Sequence, residues 1–212
     1  GACNVPVDDW ELDIVASGSQ KGYMIPPGLG FVSMSKKAWQ AAQNSNLPKF
    51  YLNLQSYKKS LSNNSNPYTP AVNLIFALDE SLKMMKEEGL NTIFKRHEKH
   101  KHAVSEAIKK LNLKLFADEN HLSPAVTAIR IEDLDAEKFR KIIKNKYDIL
   151  LAGGQDHLKG KIFRIGHLGY INDRDIIAVI AAIGNTLVEQ EIISTEKVGE
   201  ALKVASCNLK EI

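Results

Sequence analysis

The sequence predicts an α/β fold. Over residues 113–190, short apolar runs alternate with amphipathic helical stripes, joined by short links. Two more apolar runs, residues 12–16 and 29–34, are bounded by turn formers and read as buried strands. The 212 residues are 44% hydrophobic and 25% charged, the balance of a globular chain of one domain or two small ones.

The elements follow in order. After the second strand, Ser35 is a good N-cap for a helix over residues 36–43, with Trp39 on its inner face. Residues 44–48 are a break. Phe50, Tyr51, Leu54, Tyr57 and Leu61 favour a helix by their spacing. Residues 60–67 are rich in turn formers and read as an exposed loop. Thr69 followed by Pro70 is a strong helix start, and Val72, Ile75, Phe76, Leu82 and Met85 mark its apolar face. Gly89 breaks or bends this helix. Residues 90–111 form a long helix with the stripe Leu90, Phe94, His97, Val104, Ile108 and Leu111. Its centre is the run KRHEKHKH. The histidine spacing is poor for a metal, so His97 is expected to be a satisfied, partly buried ring and His100 to lie on a solvated face. Short strands are expected at residues 113–116, 123–131 and 161–165, with helices capped by Asp135 and Asn172 and a last helix over residues 198–205.

Gross numbers exclude several function classes. A net charge of +3 is too small to argue for nucleic acid or a membrane surface. No apolar run approaches a membrane span. Cys3 and Cys207 are far apart in sequence, so there is no disulfide framework and no metal motif, which fits a reducing cytoplasm. The opening GACNVPVDDWELD has neither the basic start nor the apolar core of a signal peptide. A chain without an initiator methionine that starts almost on a strand is expected to be the C-terminal part of a larger or split protein.

The chemistry centres on Ser17-Gly18-Ser19-Gln20-Lys21-Gly22. Lys21 lies between two strands with no acidic neighbour in sequence. A lysine beside buried strands loses its proton more easily, and a neutral amine attacks carbonyls to form a Schiff base. The common alternative is a solvated loop lysine. Arg164 lies between Phe163 and Ile165 on an apolar strand. It either faces water or presents two parallel hydrogen bonds to a carboxylate. A helix beginning at Thr69 would offer free N–H groups suited to phosphate, besides the plain cap.

The run SGSQKGYMIPPGLGFVSMS resembles the lysine segment of the class V aminotransferases, pyridoxal-phosphate enzymes of fold type I. The resemblance is closest to the alanine–glyoxylate and serine–pyruvate branch. It implies that Lys21 carries the cofactor as an internal aldimine and that Gln20 contacts its phosphate. Thr69 aligns with the family's phosphate-binding threonine, which serves the neighbouring subunit of a homodimer. Asn66 falls where some members have a tyrosine, and its amide is a substitute donor. FRIGH resembles the segment whose arginine binds the substrate's α-carboxylate, a role carried to Arg164. Residues 1–89 would then be the C-terminal part of the large cofactor domain, and residues 90–212 a small α/β sandwich domain. The expected reaction moves an amino group between a small amino acid, alanine or serine, and a 2-oxo acid, glyoxylate or pyruvate. The family's pyridinium-binding aspartate, its ring-stacking aromatic and most phosphate contacts lie upstream of residue 1. One alternative is therefore a fragment inactive alone that complements an N-terminal chain. Another is a subunit of the kind labelled soluble hydrogenase, for which two distant cysteines cannot hold a nickel–iron or iron–sulfur centre.

Overall fold

The computed structural model describes residues 1–132 and 134–210. They form two compact units, Val5–Glu87 on the one hand and Gly1–Asn4 with Glu88–Ile212 on the other.

In the Val5–Glu87 unit, β1 (Ile14–Gly18) and β2 (Gly30–Met34) pair antiparallel, with Ile14 opposite Met34 and Gly18 opposite Gly30. The expected strands are present, but they are not buried: Ile14 is 61% and Val32 48% exposed. A two-stranded ribbon has too few neighbours to bury both faces. Helix α1 (Lys36–Gln43) starts as the sequence predicts, with Ser35 Oγ accepting from Ala38 N at 3.0 Å. The same hydroxyl donates to Asp13 Oδ1 at 2.6 Å, and Lys37 Nζ donates to Asp13 Oδ2 at 2.9 Å. The Ser35 bond, reinforced by Lys37, holds the Asp13 carboxyl below its usual range. Trp39 is half-buried, with Lys58 Nζ 4.4 Å from its ring centre.

Helix α2 (Leu54–Leu61) is capped by Asn53. Helix α3 (Val72–Glu88) departs from expectation twice. Its first intrahelical acceptor is the Ala71 carbonyl, bonded to Ile75 N at 3.1 Å, so neither Thr69 nor Pro70 opens it. Its inward face is Leu74, Ala77, Leu78, Ser81 and Met85, whereas Val72, Ile75, Phe76 and Leu82 are exposed. The helix carries two apolar stripes, and local periodicity cannot rank them.

The larger unit holds the core. Its sheet has the order β3-β4-β6-β5, antiparallel throughout, from Lys114–Leu115, Val126–Arg130, Ile162–Gly166 and Ala152–Gly153 respectively. Side chains alternate across a strand. Thr127 and Ile129 on β4 and Phe163 and Ile165 on β6 are buried in the middle of the sheet. That face packs with the apolar stripes of α4 (Leu90–Lys110), α5 (Ala136–Tyr147), α6 (Asp173–Glu189) and α7 (Thr195–Asn208). The caps at Asp135 and Asn172 are present, the latter as a reciprocal capping box with Asp175. Ile176, Ile180, Ile183 and Leu187 are buried as their spacing predicts. Gly89, with φ of 82°, separates α3 from α4.

The histidines of α4 divide differently from expectation. His97 is satisfied as predicted, but it is fully rather than partly buried. His100 is not solvated: it is fully buried, with Nε2 2.9 Å from Asp173 Oδ1. Its partner lies on α6, far along the chain, so the basic run around it gave no sign of this.

The two units predict different responses to the same substitution. Phe163 is fully buried with its ring 5.4 Å from Phe139, so Phe163→Ala should cost about 3–5 kcal/mol in urea unfolding followed by circular dichroism. Phe76 is 71% exposed, and Phe76→Ala should change that stability by less than about 0.5 kcal/mol.

Candidate active site

Lys21 sits in the loop between β1 and β2. The loop has few side chains to hold it, and Ser19 supplies the fixing bonds. Ser19 is fully buried. Its Oγ donates to Pro26 O at 2.7 Å and accepts from Leu29 N at 3.1 Å, while its own N–H donates to Leu29 O at 3.0 Å. Lys21 N then donates to Gly18 O at 3.2 Å, and Met24 N to Lys21 O at 3.0 Å. Two consecutive turns thus present Lys21 at the crest of the hairpin. Gly28 has φ of 143°, and a Cβ there would come within 2.5 Å of Leu74 Cδ1, so the return limb needs glycine. The Tyr23 ring lies 4.6 Å from Phe31, and Ser81 Oγ donates to the Tyr23 carbonyl, tying the loop to α3.

Lys21 is exposed, and its Nζ has no hydrogen-bond or ionic partner among the described residues. The premise of a lysine walled in by buried strands is therefore corrected: the ribbon beside it is open. Gln20 is also exposed, with its side-chain carbonyl folded back over Gly18. A free primary amine beside a free amide, on a loop tied at its base, is a donor set that suits a carbonyl cofactor bearing a phosphate.

Asn66 and Thr69 lie on the loop between α2 and α3, in the same unit as Lys21. Both are exposed, and no side-chain hydrogen bond or ion pair among the described residues joins either of them to Lys21 or Gln20. The residues that shape this loop are aromatic. Tyr68 lies 4.7 Å from Tyr51, 5.9 Å from Phe50 and 6.1 Å from Tyr57, and its hydroxyl donates to Phe50 O at 3.1 Å. Burial raises the Tyr57 phenol above its ordinary value. Of the residues whose spacing predicts a helix, Tyr57 lies on α2, whereas Phe50 and Tyr51 precede it and pack on Tyr68 instead. Tyr68 beside Thr69 was the available sign of a cluster.

Arg164 belongs to the larger unit. It stands opposite Ala128 on β4 and Ala152 on β5, on the sheet face away from Phe163 and Ile165. Two alanines flank it, so the side chain is half-buried without being covered. Its Nε donates to Gly153 O at 3.0 Å. Its two terminal nitrogens have no partner among the described residues, the arrangement that leaves a bidentate donor for a carboxylate. The glycines nearby serve a purpose the sequence did not suggest. A Cβ on Gly153 would lie 2.5 Å from Arg140 Nη1 and Glu137 Oε1, and one on Gly154 would lie 2.1 Å from Leu158 O. They make room for an ion pair and a tight turn.

A family model for class V aminotransferases matches residues 1–168. The chain belongs to the class V aminotransferases. The L-aspartate–glyoxylate aminotransferase of Paracoccus denitrificans is 37% identical over 85% of this chain and 46% of its own. A protein called the soluble hydrogenase 42 kDa subunit of Anabaena cylindrica is 57% identical over 89% of this chain and 49% of its own. The crystal structure of ureidoglycine–glyoxylate aminotransferase from Bacillus subtilis superposes with a TM-score of 0.91 at 30% identity. It covers 99% of this chain and 55% of that one. The chain thus spans about half the length of the relatives it matches. Its α/β architecture is that of the pyridoxal-phosphate aminotransferases. Among the described residues no group of three or more His, Cys, Asp or Glu side chains stands ready to hold a metal ion, and both cysteines are free and exposed.

Ser19→Ala removes a buried donor and acceptor together, leaving Pro26 O and Leu29 N unpaired. It should cost about 1–3 kcal/mol locally, read as faster hydrogen exchange at Leu29 and Ile25 with α4–α7 unchanged.

Proposed function

We propose that this chain is the C-terminal portion of a pyridoxal-phosphate aminotransferase. It would move an amino group between a small amino acid, alanine or serine, and a 2-oxo acid, glyoxylate or pyruvate. The observation that carries the reading is the unpartnered Lys21 amine on a loop whose base is fixed by Ser19. The glyoxylate aminotransferases among the relatives support the reaction class.

Each residue has a defined task. Lys21 Nζ holds the cofactor covalently and, when released, acts as general base toward the proton on the substrate Cα. Gln20 donates its amide to the phosphate. Thr69 and Asn66 donate to the phosphate in a neighbouring subunit of a homodimer, which accords with their lack of any bond to Lys21 in one chain. Arg164 fixes the substrate α-carboxylate through its two terminal nitrogens. When bound, pyridoxal phosphate supplies the electron sink that makes the Cα proton removable. Residues 1–89 would belong to the large cofactor domain and residues 90–212 to the small domain. The free cysteines and the absence, among the described residues, of a helix long and apolar enough to cross a membrane accord with a cytoplasmic enzyme.

A second reading is favoured by the surface of the Val5–Glu87 unit. Its buried apolar residues are Ile25, Ala38 and Met85, while Trp10, Ile14, Val32, Phe50, Leu61 and Phe76 are exposed. So few buried apolar side chains against so many exposed ones leave this unit short of a core of its own. We propose that these 212 residues work with the other half of the family's fold, in the same chain or a separate one. The hydrogenase label has no counterpart in the chemistry of the described residues.

The test is optical and kinetic. The protein with its complementary half should show the yellow absorbance of lysine-bound pyridoxal phosphate, and Lys21→Ala should abolish it. Arg164→Ala should raise KM for the amino acid by roughly 10–100-fold, the loss of a charge-assisted pair. An unchanged KM removes Arg164 from the site. A yellow band that appears with the 212 residues alone removes the second reading.

A further inference from the structure

Three fully buried histidines lie behind the strand that carries Arg164, and none has a part in the proposed chemistry. His167 follows the end of β6. Its backbone N–H donates to Ala125 O at 3.0 Å. Its Nδ1 lies 3.0 Å from Pro124 O, and its Nε2 lies 2.9 Å from Thr127 Oγ1. A carbonyl only accepts, so Nδ1 carries the hydrogen, and in the neutral ring that burial favours Nε2 accepts from the threonine hydroxyl. Both nitrogens are then used. Thr127 stands opposite Ile165 on β6, so His167 staples the end of β6 to β4 one residue past the Arg164 pairing.

His97 holds the next residues. Its Nε2 accepts from Gly169 N at 3.0 Å, and its Nδ1 donates to Ile93 O at 2.7 Å. It too is fixed in one neutral tautomer. Arg96 donates to Gly169 O at 2.9 Å and Ile171 O at 3.1 Å while paired with Glu88. His100 Nε2 donates to Asp173 Oδ1, and its buried Nδ1 has no partner among the described residues. From β6 to the start of α6, the chain is held by buried imidazoles together with the Arg96 guanidinium.

We propose that His167 is a positioning residue for Arg164: pinned between Thr127 and the Pro124 carbonyl, the neutral ring fixes the end of β6 and so the direction in which the guanidinium is offered. This rests on the carboxylate role proposed for Arg164. The constraint is sensitive to acid. The titratable groups facing His167 from α4 are His97, His100 and Lys101, and each opposes a charge there. From α6 the carboxylate is Asp173, already engaged by His100 and by Lys99 Nζ at 3.1 Å. From β4 and its approach, Thr127 and Pro124 offer no charge. Burial pushes the ring down to about 4, with the Lys101 charge opposing a further positive one. The folded ring refuses a proton that the unfolded chain accepts. Its share of stability is full above the ordinary histidine value of 6.5 and is lost as the pH falls toward about 4.

The test reads the Arg164 Nε–H bonded to Gly153 O, by its exchange protection in nuclear magnetic resonance relative to free arginine. The 212-residue chain is used as it stands. In the wild type, protection should fall at least about tenfold as the pH drops from 6.5 to 4. His167→Phe keeps the volume and loses both bonds, and it should lower protection by about tenfold already at pH 7. His167→Asn keeps a donor for Pro124 O and takes no proton. It should restore protection at pH 7 and flatten the acid response. A folded His167→Phe chain with wild-type protection overturns the proposal. So does a His167→Asn chain with the wild-type acid response, which decides the matter if the phenylalanine variant fails to fold. An unchanged KM in Arg164→Ala would instead remove the carboxylate role and leave these exchange rates as they are.

Discussion

The hydroxyl of Ser19 gives the Lys21 loop its shape. The chain leaves β1 at Gly18 and must return to β2 at Gly30 through a stretch with few apolar anchors. Backbone groups on such a path stay in water unless something inside the loop pairs them. Ser19 does this with both its backbone and its side chain, donating to and accepting from the return limb at Pro26 and Leu29. The lysine is then carried on a closed frame, with Gly28 permitting α3 to come close behind it. The amine is left free because every strong local bond is made by its neighbours.

Strand alternation does the equivalent for Arg164. Burying Phe163 and Ile165 against the helices sends Arg164 to the opposite face, between two alanines too small to cover it. One bond from Nε to Gly153 sets the plane of the guanidinium and leaves its other edge open. Behind the sheet, buried imidazoles fasten the turn together with the Arg96–Glu88 pair, which lies nearer the surface.

What was legible in the sequence was local. Ser35, Asp135 and Asn172 cap helices because a short oxygen-bearing side chain ahead of an apolar stripe has a single good use. The stripe of α6 was readable because the helix is apolar almost all round and the isoleucines that recur at helical spacing are all buried. Thr69 does not cap α3 because the first intrahelical bond runs to the Ala71 carbonyl, two residues further on, beyond reach of its hydroxyl. The inward face of α3 was misread because two apolar stripes compete, and contacts with Tyr23 and Gly28 choose between them. His100 was misread because Asp173 lies far along the chain. The Lys21 segment was readable as chemistry through its resemblance to a family, but the environment of the lysine was not. The expected buried strands form an open ribbon, because burial needs neighbours that a pattern of apolar residues does not supply.

The central claim is that Lys21, among the surface lysines of this chain, is the residue that takes the cofactor. Incubation with pyridoxal phosphate, reduction with borohydride and peptide mapping by mass spectrometry test it directly. The mapping should be done on the 212 residues together with the complementary half. One phosphopyridoxyl group should appear on the peptide containing Lys21, displaced by a small amino acid added before reduction. Label spread over exposed lysines such as Lys36, Lys49 and Lys59, with Lys21 unmodified, would contradict it.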